Sequence, residues 1–105
     1  MQKDGLRLRR IIARKGDNMT QDRLRMIYDL SSTAWKWFKA KDETDVSERD
    51  DYFWETVTSD IKKMVGKCKD RYLKPFYTDL LNTYAGQLQQ DYLGYLASRQ
   101  EKLPL

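Results

Sequence analysis

Two groups of cationic side chains are the residues best suited to chemistry with another molecule. Arg7, Arg9, Arg10, Arg14 and Lys15 crowd the N-terminus, and Lys63, Lys67, Arg71 and Lys74 recur further on at four- and three-residue steps. Guanidinium and ammonium groups at this density suit phosphate binding, because each contact releases a counterion from the polyanion. Residues 1–18 set six bases, Lys3 and the five named first, against Asp4 and Asp17, and their net of +4 equals the formal net charge of the whole chain. Residues 19–105 therefore carry as many bases as acids, and the pI of about 9.2 belongs to the arm. The second group has a bland alternative, a solvated, dipole-favoured end of a helix.

Other chemistries have less to build on. The chain has no histidine, which removes the commonest general base and the commonest transition-metal ligand, and with them Ser–His and Cys–His nucleophile pairs. No acidic run has the spacing of a calcium hand, and Gly5, Gly16, Gly66, Gly86 and Gly94 stand singly, so there is no phosphate-cradling glycine loop. The single Cys68 falls on an apolar helical face, where an unreactive thiol packs. Asp42, Glu43, Asp45, Glu48, Asp50, Asp51, Glu55 and Asp60 cluster at a helix start, which needs no role beyond partnering the macrodipole. No catalytic residue, metal, cofactor or small-molecule substrate is expected.

Three amphipathic helices must position these groups. The strongest signal covers residues 47–72: Ser47 and Asp50 resemble a capping box, and Phe53, Trp54, Val57, Ile61, Met64, Val65, Cys68 and Tyr72 form one apolar face. Acids fill its first half and bases its second, the order the macrodipole favours. Gly66 marks a close helix approach or a local bend. An earlier helix is expected over 20–41, capped by Thr20, with a core stripe of Leu24, Ile27, Tyr28, Ser31, Ala34, Trp35 and Phe38. A second apolar row on that helix, Met26, Leu30 and Trp37, either widens the core or meets a partner. Lys74-Pro75 opens a third helix, about 75–99, with Tyr77, Leu80, Leu81, Tyr84, Leu88, Tyr92 and Tyr95 on one face. Its four tyrosines are expected at the rim with hydroxyls outward, or else as a base-stacking platform.

The expected fold is therefore all-α, an antiparallel three-helix bundle (about 20–41, 47–72 and 75–99) in a domain of residues 19–105, preceded by a basic arm, 1–18. The arm admits four readings. It orders on a polyanion; it joins the fold through Leu6, Leu8, Ile11 and Ile12; it is an optional leader ahead of Met19; or it is an Arg-rich transit peptide. No apolar run is long enough to span a membrane, which points to the cytoplasm.

Such a chain is expected to be a non-enzymatic interaction module or regulator, binding a protein partner or itself through Met26, Leu30 and Trp37. The alternative is nucleic-acid binding by the two cationic groups. In size and helical style the chain resembles small accessory proteins of phages and mobile elements, including inhibitors of defence systems. That resemblance is one of general character and assigns no residue a role.

Overall fold

A computed structural model describes the backbone of residues 2–102 and the side chains of residues 21–100. It contains three α-helices, α1 (Gln2–Asp42), α2 (Asp51–Lys67) and α3 (Lys74–Lys102), with a 3-10 turn at Val46–Glu48 between the first two. No strand occurs among the described residues. The chain divides into two units, Met1–Leu30 and Ser31–Leu105.

The boundaries differ from the sequence expectation at three places. Helix α1 begins at Gln2 rather than at Thr20, so Thr20 lies inside it and not at its start. Arg, Leu, Ile, Ala and Lys, which fill much of residues 3–15, are serviceable helix formers, and one interior glycine costs only about 1 kcal/mol.

Helix α2 starts at Asp51 rather than Ser47. Asp50 is its N-cap, accepting from the Phe53 amide at 2.9 Å, while Ser47 belongs to the 3-10 turn. That turn has a cap of its own, for Asp45 accepts from both the amide and the hydroxyl of Ser47. Two aspartates each capture a short segment, and the chain breaks between them.

The same device ends the long helix early. α2 stops at Lys67, Cys68 takes an extended conformation, and residues 68–73 are not helical as the 47–72 expectation required. The Asp70 carboxylate accepts from the Tyr72 and Leu73 amides at 2.8 and 3.0 Å, and its carbonyl accepts from Lys74 N–H at 3.0 Å. A fresh helical start is thereby seeded just where the apolar periodicity reads as continuous. Gly66 marks no close approach, since a Cβ there would meet nothing within 4 Å.

Within Ser31–Leu105 the core is built by all three helices. Phe53, Val57 and Leu88 are buried together, with Trp37, Phe38, Trp54, Ile61 and Ala85 packed against them. Ala34, Cys68, Leu73, Tyr77 and Leu81 are buried as well. Tyr77 is only 3% exposed and so departs from the expected rim; desolvation, and then the neighbouring Cys68, raise its phenol pKa above the ordinary value.

Within Met1–Leu30 the expected core stripe is only partly covered, with Ile27 half-buried. Leu24 and Tyr28 are each 61% exposed. This unit contains a single helix and has no second element of its own against which to bury them.

Candidate functional site

The Met26, Leu30 and Trp37 row is divided between two environments. Met26 is exposed and Leu30 half-buried in the first unit. Trp37, in the second, packs against the core, and its indole N–H donates to Asp60 Oδ2 at 3.0 Å. Lys41 Nζ lies 2.9 Å from the same oxygen. Partial burial works against the Asp60 carboxylate, but these two hydrogen bonds and the charges of Lys41 and Lys63 outweigh it and hold the carboxyl below its ordinary pKa.

The side chains of Arg7, Arg9, Arg10, Arg14 and Lys15 lie outside the described residues. Lys63, Lys67, Arg71 and Lys74 do not form one helical stripe, because α2 ends at Lys67. Lys63 and Lys67 are exposed on α2, Arg71 is exposed in the connecting turn, and Lys74 is half-buried at the start of α3. Among the described residues the ion pairs are Lys41–Asp60 and Arg49–Asp42, so none of the four bases is in an ion pair, although the charge of Lys63 acts on Asp60.

The turn after α2 is held from below and displays cations and rings above. Cys68, Leu73 and Tyr77 are buried, and Asp70 fixes the backbone between them. Lys67, Lys69, Arg71 and Tyr72 face solvent, Tyr72 with 68% of its surface exposed, and Phe76, in the first turn of α3, is partly exposed. The Arg71 guanidinium sits 5.0 Å from the centre of the Tyr72 ring and donates to its hydroxyl at 2.9 Å. Lys69, Tyr72 and Phe76 were not singled out as ligand contacts by helical spacing. Their signal is the alternation of bases with aromatics over residues 67–76, legible only once the helix is known to end.

Three tyrosine rings of α3 have partners within the fold. Tyr84 stacks on Phe38 at 4.8 Å, Tyr92 meets Trp54 edge-on at 5.7 Å, and Tyr95 lies beneath Arg99 at 5.6 Å. A stacking platform on this face would have to displace those partners. A cleft of about 390 Å³ lies between α2 and α3, lined by Trp54, Thr58, Asn82, Gly86 and Gln89 among others. A Cβ at Gly86 would meet nothing within 4 Å.

One buried cation escaped the sequence reading. Arg49 is 3% exposed and donates to Thr44 O at 3.2 Å, Leu88 O at 3.0 Å and Asp42 Oδ1 at 3.3 Å, with its guanidinium 5.4 Å from the Phe53 ring centre. A lone base in an acidic segment reads as a solvated charge. Its role depends on Leu88, which no local pattern brings near.

Among the described residues no group of three or more His, Cys, Asp or Glu side chains is placed to hold a metal ion, and no helix is long and apolar enough to cross a membrane. Compared with protein-family models, curated proteins and solved structures, the chain matches none.

Proposed function

We propose that this chain is a small non-enzymatic interaction module, a three-helix antiparallel bundle acting in the cytoplasm, that binds a protein partner or a second copy of itself. The exposure of Leu24 and Tyr28, one turn apart on α1, and of Met26 on the opposite side of the same helix carries this assignment. A helix that keeps large apolar side chains in water gains free energy when another chain covers them, at about 25 cal/mol per Å² of apolar surface removed. Met26 and Leu30 belong to the proposed contact, and Trp37 contributes to it by fixing the helix that bears them. The antiparallel arrangement is supported by Trp54 meeting Tyr92 while Val57, nearly one turn further along α2, lines a cleft with Ala85, about two turns earlier on α3. The arm over residues 1–18 is taken as a separate basic segment. The chain's likeness in size and helical style to small accessory proteins of phages and mobile elements, including inhibitors of defence systems, fits such a role.

The test is sedimentation and pull-down of the full chain beside Leu24→Glu and Tyr28→Glu variants. The parent should sediment as an assembly or retain a partner, and each charged variant should lose that property at unchanged helical circular dichroism. Identical profiles for parent and variants would remove this face from consideration. A second function, nucleic-acid binding, is favoured by the unneutralised cations and exposed rings of the α2–α3 turn.

A further inference from the structure

We propose that the turn joining α2 to α3 binds single-stranded nucleic acid, with Lys67, Lys69 and Arg71 on phosphates and the exposed Tyr72 ring stacked on a base. This rests on the nucleic-acid function named above and moves its centre from the terminal arm to a structured loop.

Charge comes first. Residues 62–74 carry Lys62, Lys63, Lys67, Lys69, Arg71 and Lys74 against Asp70 alone. The Asp70 carboxylate is already occupied by two backbone amides, and among the described residues no ion pair involves any of these six bases. A polyanion therefore meets cations with no bound carboxylate to displace.

Preorganisation comes second. Buried Cys68, Leu73 and Tyr77 anchor the turn on both sides of its exposed residues, and Asp70 clamps its backbone. Ligand binding then need not meet the full entropic cost of ordering the loop.

The rings select the kind of polyanion. An exposed aromatic offers nothing to the phosphates of a duplex whose bases are stacked inside, but it offers a face to an unpaired base. Tyr72 is the most exposed ring of this basic segment, and Arg71 already lies against it as a planar cation. Tyr84 and Tyr92 of α3 are spent on stacks with Phe38 and Trp54, whereas Tyr72 keeps 68% of its surface exposed within the basic turn. An acidic protein surface would use the same cations but gain less from the ring.

The experiment measures binding of the full chain to a fluorescent oligothymidylate and to a duplex of equal length, across a salt series. The single strand should bind more tightly than the duplex. Its affinity should fall with salt at a logarithmic slope of about −2, as expected for roughly three neutralised phosphates. Joint replacement of Lys67, Lys69 and Arg71 by Gln should flatten that slope and weaken binding at low salt. Tyr72→Ala should weaken binding about tenfold with the slope nearly unchanged, the loss of one stacked base.

Circular dichroism of both variants should match the parent, since the replaced side chains are exposed. If the oligonucleotide binds and neither variant alters it, the turn is not the site, although a nucleic-acid function seated in the arm survives. If no oligonucleotide binds, both fail. Equal affinity for duplex and single strand, or a salt-sensitive association of the chain with its own acidic segment in place of the oligonucleotide, would also overturn the proposal.

Discussion

The indole N–H of Trp37 and the ammonium of Lys41 converge on one oxygen, Asp60 Oδ2, at 3.0 and 2.9 Å, and so tie the last turns of α1 to the middle of α2. Both partners favour the ionised carboxyl, so its folded pKa lies below the ordinary 3.8. A depressed folded pKa contributes stability above the unfolded value and loses it as pH falls from there through the folded value. Asp60→Asn should therefore cost about 1 kcal/mol at neutral pH, the worth of a charge-assisted contact at a partly exposed site. The gap to the parent should begin to narrow near pH 3.8, where the unfolded chain's carboxyl protonates, and close as pH falls through the lower folded value. Urea midpoints at neutral and acid pH measure this, and a gap independent of pH would refute it.

Arg49→Ala should be among the most damaging single changes. It removes three donors from a buried position and leaves the Thr44 carbonyl and the Asp42 carboxylate without this partner. Losses of this kind run to about 3 kcal/mol. Arg49→Lys should rescue little, because one ammonium cannot reproduce a planar fork spread over three acceptors. Chemical denaturation with helical content as the signal distinguishes these from a solvated arginine, whose removal would shift the midpoint hardly at all.

Asp50→Ala and Ser47→Ala make opposite demands on the two possible starts of α2. With Asp50 accepting from Phe53 N–H, its loss should cost about 1 kcal/mol, while loss of the exposed Ser47 hydroxyl should stay within about 0.5 kcal/mol. The reverse ranking in thermal melts would restore the start at Ser47.

Gly66→Ala, Gly86→Ala and Gly94→Ala should each stabilise the protein by roughly 0.5–1 kcal/mol. All three lie within helices, and a Cβ at each meets nothing within 4 Å, so alanine removes backbone freedom from the unfolded chain without a clash. A raised melting temperature checks each one. If Gly86→Ala instead lowered it, the cleft beside Trp54 would have to close in solution.

The helical class was legible because Phe53, Val57, Ile61 and Leu88 recur at helical spacing and do become the shared interior, or pack against it. Lys74-Pro75 likewise announced α3, which starts at Lys74. The ends of α2 were not legible. Aspartates compete for backbone amides over two or three residues, and Asp45, Asp50 and Asp70 win that competition against a hydrophobic rhythm running across all of them. The basic stripe failed for the same reason, since its even spacing has meaning only on an unbroken helix. Leu24 and Tyr28 carry the same core-like spacing as Ala34 and Phe38, and periodicity alone does not tell a covered row from an exposed one.

The Arg49 fork also constrains the fold in translation. Apolar side chains can slide by a turn against a neighbouring helix and find similar company, but a desolvated cation seated on the carbonyl oxygen of Leu88 has a single address. Shifting α3 by one turn would offer it a different main-chain oxygen at a different angle while Asp42 and Thr44 stayed put, so the three acceptors would no longer converge. Arg49 thus acts as a detent, choosing one alignment among several that greasy packing alone would tolerate.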